Sequence, residues 1–165
     1  MNGDELVDLA LQSCQLRKTF RGVFARDSFM ELGQDVTGSF IVNQCDRGTR
    51  GLHWLGVYVP QAAKLCCYSS KTPPPSVFFD SLGRGSPQKY KLTIEGDSIL
   101  HNCMRYQAES SDSCGLFCLY VLHWLSSGVQ FENILNEFST DDLSENDQIV
   151  KDFSEMLKKG VFYHL

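Results

Sequence analysis

The chain has 165 residues, 42% of them apolar and 12% aromatic, which is about one domain and enough to bury a core without disulfide or metal support. The net charge of −5 and pI of 5.3 give no electrostatic footprint for nucleic acid, so a nucleic-acid partner is not expected. Met1 to Ala10 carries Asp4, Glu5 and Asp8 where a signal peptide would be basic and then apolar, and the longest apolar run, Leu116 to Leu125, is too short to span a bilayer. Both features point to an intracellular protein with no membrane partner.

In chain order, Leu6, Val7, Leu9, Ala10, Leu11 and Leu16 give an amphipathic first helix over Glu5 to Arg17. Phe20 to Phe24 reads as a turn into a short extended piece, and Asp27 or Ser28 can cap a short helix through Leu32. Gly33 to Gly38 is loop. Three strand-like segments follow: Ser39 to Asn43, His53 to Val59 ending at Pro60, and Lys64 to Ser69, the last two spaced as a hairpin. Pro73-Pro74-Pro75 is a rigid extended link into a fourth strand, Ser76 to Asp80, which runs into Ser81, Gly83 and Gly85. The unbroken apolar run Val77 to Phe79 predicts a sheet covered on both faces.

From residue 87 to 105 the pattern is ambiguous. Gln88 to Ile94 fits strand or loop, Glu95 to Cys103 has Ile99 and Leu100 at helical spacing, and Met104 to Gln107 reads as a short edge strand. The character changes abruptly at Cys114. Ser111, Asp112 and Ser113 are N-cap candidates, and the following residues are apolar on nearly every face, predicting a buried helix that begins at Cys114 or one residue earlier. Gly128 stops it, Phe131 to Phe138 makes another short helix, and Ser144 with Asp147 resembles a capping box opening a last helix through Lys158. Val161 to Leu165 is apolar enough to pack. The whole chain, residues 1–165, is expected to be one α+β domain. Its central mixed or antiparallel sheet packs on the helix that starts at Cys114, with further helices at both ends.

The seven cysteines, at 14, 45, 66, 67, 103, 114 and 118, form an odd set without a Cys-x-x-Cys pair, so neither a disulfide framework nor a structural zinc site is indicated. Cys114, Cys118 and His123 do share a helical run, but closed zinc sites draw pairs of ligands from turns, and no metal is expected. Cys114 differs from the others by position: at a helix N-terminus, backbone N–H groups and the helix dipole favour a thiolate. Cys118, one turn along, reads as a core thiol, as do Cys45, Cys66, Cys67 and Cys103. His123 reads as a satisfied core histidine.

A thiolate nucleophile needs a base, a group to orient that base, and donors for an oxyanion. His53 at the start of the second strand, Asp80 at the end of the fourth, and Gln107 seven residues before Cys114 are candidates for these roles. Each sits at an element boundary, where side chains are presented. Singly, each has an ordinary alternative: a strand histidine, a turn-forming aspartate, a polar loop residue.

Together, His53-Trp54, Phe79-Asp80-Ser81-Leu82-Gly83, Gln107 and Ser113-Cys114-Gly115-Leu116-Phe117-Cys118 resemble the adenovirus protease (adenain) family, within the wider group of ubiquitin-like-protein proteases. The resemblance covers about residues 38 to 127. Phe20 to Asp27, and downstream Phe138 with Leu143 to Val150, also resemble the proteases of Polinton (Maverick) elements and related viruses. The resemblance implies the adenain-like cysteine proteinase fold, with Cys114 as nucleophile, His53 as base, Asp80 as third member, Gln107 as oxyanion donor and Trp54 packing beside the imidazole. The adenovirus enzymes commonly carry Glu at the third position, and either carboxylate can orient an imidazole.

The implied activity is a cysteine endopeptidase acting on viral or transposon-encoded capsid precursors at Gly-containing sites. Such an enzyme would work in the host nucleus or virion if viral, and otherwise in the nucleus or cytoplasm. No cofactor is required for this chemistry, although adenovirus proteases use an activating peptide and DNA. The alternatives are a protease that removes ubiquitin-like modifiers, an acyltransferase using the same His–acid–Cys set, and a binding module on a decayed scaffold. The presence of all four residue types argues against the last.

Overall fold

The computed structural model describes residues 1–33, 36–61, 74–94 and 98–160. The first helix, α1 (Gly3–Gln12), starts at a capping box in which the Asn2 side chain accepts from the Glu5 N–H and the Glu5 carboxylate accepts from the Asn2 N–H. It ends sooner than its apolar spacing predicts, because Ser13 is extended and a separate turn, α2 (Leu16–Thr19), follows. The Ser13 hydroxyl takes the Leu16 N–H, so the break is itself capped. β1 (Phe20–Phe24) and α3 (Arg26–Met30) come next, with Ala25 rather than Asp27 or Ser28 at the N-cap.

β2 (Gly38–Asn43), β3 (Trp54–Val59), β4 (Ser76–Phe79) and β5 (Ile99–His101) complete a five-stranded mixed sheet in the order β1-β2-β3-β4-β5. The β1–β2 and β4–β5 pairs are parallel, and the two central pairs are antiparallel. The expected strand Lys64–Ser69 and its hairpin lie outside the described residues, as do Val161–Leu165. Within the described residues, β4 pairs directly with β3. Two expectations fail nearby. Ile99 and Leu100 belong to a strand, not a helix, and no strand forms over Met104–Gln107. The reason is tertiary: β4 offers β5 a parallel partner, whereas 104–107 is held by the turn after β4 (below). Pro87–Tyr90 forms a short 3-10 helix, with Pro at its first position and Lys91 in the left-handed region at φ 57°.

α4 (Cys114–Ser126), α5 (Phe131–Leu135) and α6 (Leu143–Lys158) follow. α6 opens two residues before the predicted capping box: Asp142 rather than Ser144 caps it, by accepting the Ser144 and Glu145 N–H groups. That leaves Asp147 unused as a cap and available to the site.

Strand periodicity divides the core into two layers. Ile41, Val77 and Phe79 face α4 and pack with Leu6, Phe117, Leu119, Val121, Leu122 and Val150. Phe40, Val42, Leu55, Val57 and Phe78 face the other way, against Phe29, Tyr90, Leu92 and Ile94. The sheet is therefore covered on both faces, and each fully buried large side chain contributes about 1.5–3 kcal/mol. α4 runs over β3 at Gly56, where a Cβ would lie 3.7 Å from the Cys118 Cβ. Neither α4 nor any other described helix is long and apolar enough to cross a membrane.

His123 is buried on α4, with its Nδ1 2.8 Å from the Ser13 hydroxyl and its ring against Trp124 and Phe153. Burial lowers its pKa from 6.5 to about 4, so it is neutral in the fold. The unfolded chain binds the extra proton between these values, so His123 costs no stability above about pH 6.5 and lowers it as pH drops toward 4. The loss is on the order of 3 kcal/mol. Asp80 titrates below this window, its pKa being near 2. His123→Gln is expected to flatten the slope of urea-unfolding free energy against pH between 6.5 and 4; an unchanged slope would contradict the assignment.

Candidate active site

Asp80 follows the last residue of β4 and is fully buried. Its Oδ1 accepts from His53 Nε2 at 2.7 Å and Leu82 N–H at 2.9 Å; its Oδ2 accepts from Arg84 N–H at 2.9 Å and Tyr90 O–H at 2.5 Å. Burial by itself would raise the carboxyl pKa, but the hydrogen bonds from His53 and Tyr90, the His53 charge and the Arg84 N–H together lower it to about 2. The group is an anion at any physiological pH. Its main chain is held too: Asn102, just past β5, accepts the Asp80 N–H at 3.0 Å and donates to the Asp80 carbonyl at 2.7 Å.

Because Asp80 is an acceptor only, His53 Nε2 carries the proton and donates it. The other ring nitrogen is left for the thiol, and His53 and Cys114 are close enough for each to shift the other's protonation. Burial would lower the imidazole pKa, yet the bonds to Asp80 and Cys114 raise it above 6.5. Cys114 mirrors this. Burial would raise the thiol, but the His53 ring, the Trp54 and Gly115 backbone N–H groups and the His53 charge bring it below 9.0. Each partner favours the charged form of the other.

Gly115 permits the approach. A Cβ there would come within 2.7 Å of the Leu6 side chain and 3.3 Å of Trp54 Cδ1, so the start of α4 can sit this close to α1 and β3 only without a side chain. Trp54 packs here, and its indole N–H reaches the Met1 carbonyl at 3.3 Å.

Gln107 is brought in by the turn after Asp80. Gly83, at φ +62°, closes that turn with its N–H on the Asp80 carbonyl, and a Cβ on it would lie 2.5 Å from the Met104 backbone. The contact lays segment 104–107 along the turn, where the Tyr106 and Gln107 N–H groups both donate to the Ser81 carbonyl at 2.9 and 3.1 Å. The Gln107 side chain is buried; its Oε1 accepts from the Ser81 hydroxyl at 2.7 Å and its Nε2 donates to the Ser111 carbonyl at 2.7 Å. One amide hydrogen remains for another acceptor. The Cys114 N–H, in the first turn of α4, has no intrahelical carbonyl to bond. Ser113 occupies the N-cap without a side-chain cap bond.

His53, Gln107 and Cys114 line a single cleft of about 1010 Å³. One wall is the 44–52 loop, tied to α3 by a bidentate Arg26–Asp46 pair at 2.8 and 2.6 Å and by Arg47 to Asp27 and Glu31. The other wall includes Leu82, Arg84 and Arg105.

The four residues singled out in the sequence are thus brought together. Several contributors had no sequence signal: Tyr90, Asn102 and Ser81, and the Trp54 main chain. Two cysteines expected in the core are elsewhere. Cys45 is half-buried and lines the cleft, and Cys103 is exposed; Cys66 and Cys67 lie outside the described residues. Cys118 and His123 are buried as expected. Among the described residues no group of three or more His, Cys, Asp or Glu side chains could hold a metal ion.

No protein-family model matches the chain, and no curated protein matches it.

The alkylation rate of Cys114 should rise with pH at a midpoint below 9.0, the ordinary thiol value. His53→Gln leaves burial unopposed by the imidazolium, so the midpoint should move upward. Site-resolved iodoacetamide labelling by mass spectrometry measures both; a midpoint that does not respond to the substitution would mean that His53 does not set the thiol's protonation.

Proposed function

We propose that the protein is a cysteine endopeptidase. The observation that carries the reading is the buried Asp80–His53 pair placed against a thiol of lowered pKa at a helix N-terminus, inside a cleft large enough for an extended peptide. In this reading the Cys114 thiolate attacks the scissile carbonyl carbon. The oxyanion is met by the spare Gln107 Nε2 hydrogen and the Cys114 N–H. His53, protonated by taking up the thiol proton, gives that proton to the leaving amine as the C–N bond breaks. A water molecule deprotonated by the same ring then releases the acyl group from sulfur. Asp80 keeps the ring in the required tautomer and stabilises the imidazolium without being protonated itself.

The motif resemblance to adenovirus and Polinton proteases supports the adenain-like fold and makes capsid or other structural precursor proteins with Gly-containing sites the first substrate class to test. Conjugates of ubiquitin-like modifiers are the second. An activating peptide belongs to the same proposal.

Cleavage of a fluorogenic peptide with Gly-Gly before the scissile bond is expected from the purified protein and should be abolished by Cys114→Ala. Asp80→Asn, which presents the wrong partner to Nε2, should lower kcat by about 10²-fold or more. Iodoacetamide should label Cys114 ahead of Cys103. A Cys114→Ala protein that still cleaves the peptide would overturn the reading. A panel of modifier conjugates and capsid-precursor peptides separates the substrate classes, and an acetyl adduct on Cys114 after incubation with acetyl-coenzyme A would favour the acyltransferase instead.

A further inference from the structure

Helix α6 lies far from the His53–Cys114 pair in sequence, yet it anchors the loop between Gln107 and α4. Asp147 is 4% exposed and directs both carboxylate oxygens into that loop. Oδ2 accepts the Ala108 N–H at 2.9 Å, and Oδ1 accepts the Ser111 hydroxyl. The Ser111 hydroxyl in turn accepts the Ser113 N–H at 3.1 Å, at the N-cap of α4. The Ser111 carbonyl holds Gln107 Nε2 at 2.7 Å, and Ser81 holds Gln107 Oε1 at 2.7 Å. The neighbouring Asn146 fixes the same loop from its other end, donating to the Tyr106 carbonyl at 3.0 Å.

Ser111 is therefore clamped at its hydroxyl and at its carbonyl, and the two ends of that clamp lead to the two N–H groups assigned to the oxyanion. Through the carbonyl, Ser111 uses one Gln107 amide hydrogen and so fixes the direction of the other. Through the hydroxyl, it fixes Ser113 and the first turn of α4, including the Cys114 N–H. A buried carboxylate is a costly way to tie down a loop, because its desolvation must be offset by strong acceptor bonds. A purely apolar contact would hold α6 in place without setting any donor direction.

We infer that Asp147 is a positioning residue for the oxyanion site, acting through Ser111 on Gln107 and on the N-terminus of α4. This rests on the endopeptidase reading above. Asp147 touches neither the substrate nor the thiol; its effect is on transition-state geometry. Loss of the carboxylate should therefore lower kcat while leaving KM and thiolate formation nearly unchanged.

The test uses the whole chain with Asp147→Asn, which keeps the shape and one acceptor, and Ser111→Ala, which removes only the hydroxyl. Asp152→Asn, an exposed carboxylate on the same helix bonded to Gln148, is the control. With the Gly-Gly peptide, Asp147→Asn and Ser111→Ala should each lower kcat roughly 10- to 100-fold, less than outright loss of an oxyanion donor. KM and the pH profile of Cys114 alkylation should stay within about twofold. The double variant should lose little more than either single one, because both break the same link. Hydrogen exchange of the Ala108 and Ser113 amides should quicken in Asp147→Asn and not in Asp152→Asn.

An unchanged kcat in folded Asp147→Asn overturns the inference. So does a loss of alkylation in step with the loss of kcat, since that would mark general disorder of the site. If the wild-type protein itself fails to cleave while its Ala108 and Ser113 amides respond as stated, the endopeptidase reading is what has failed, and Asp147 is an anchor of the loop only.

Discussion

The buried hydrogen bond between Asp80 and His53 is the interaction on which the rest of the site depends. An isolated carboxylate with no solvent exposure would protonate, and a protonated Asp80 would no longer dictate which imidazole nitrogen carries the proton. It stays ionised because His53 donates to it, because Tyr90 adds a phenol from the 3-10 helix, and because the turn after β4 delivers the Arg84 N–H. The same environment pushes the Tyr90 phenol upward, since burial and the adjacent carboxylate both oppose a phenolate. Tyr90 is thus held as a donor. The parallel pairing of β4 with β5 has its use here as well: it brings Asn102, the residue after β5, within reach of the Asp80 N–H and carbonyl, so Asp80 is fixed by its backbone as well as by its side chain.

Segment 102–113 contains no helix or strand, yet its polar groups are largely accounted for. It is bound on one side by the Asp80–Gly83 turn and on the other by Asn146 and Asp147 of α6. Irregular backbone of this sort can be well positioned when its donors and acceptors are paired to rigid elements. The sheet contributes His53 and Asp80, and this pinned loop contributes Gln107. α4 contributes Cys114, and the geometry among the three depends on Gly83, where a side chain would meet the Met104 backbone, and on Gly115, where one would meet the Leu6 side chain.

Much of this was legible in the sequence because the relevant signals are local. The change from polar to apolar residues at Cys114 marks the helix start, short apolar runs mark β2, β3 and β4, and His53 and Asp80 stand at strand ends. What escaped was decided by partners distant in the chain. β5 is a strand because β4 lies beside it, while Ile99 and Leu100 by themselves fit a helix. Tyr90, Asn102 and Asp147 are ordinary residues in sequence, and only the fold shows that their polar atoms converge on the site. The capping pattern at Ser144 was misread for a related reason. Asp142 does the capping, which frees Asp147 for a tertiary contact that no spacing rule reports. Cys45 and Cys103 show the weakness of residue type as a guide to burial, since free cysteines are often core residues and these two are not.

The contrast between Cys114 and Cys118 isolates what lowers a thiol's pKa here. Both are on α4, one turn apart and on the same face, and both are desolvated. Burial alone would raise both. At Cys118 burial goes largely unopposed, the nearby Cys114 and Asp80 charges push the same way, and the pKa rises well above 9.0. At Cys114 the His53 ring, the Trp54 N–H and the Gly115 N–H reverse the sign. The difference therefore lies in the four residues that separate a helix end from its interior, and in an imidazole whose proton is fixed by Asp80. A second histidine on the same helix, His123, makes the complementary point. It is buried against Ser13 with no carboxylate partner among the described residues, its pKa falls to about 4, and as a neutral ring at neutral pH it supplies no charge to hold a thiolate. Residue type supplies the capacity for this chemistry, and the buried anion at the end of β4 decides which histidine and which cysteine have it.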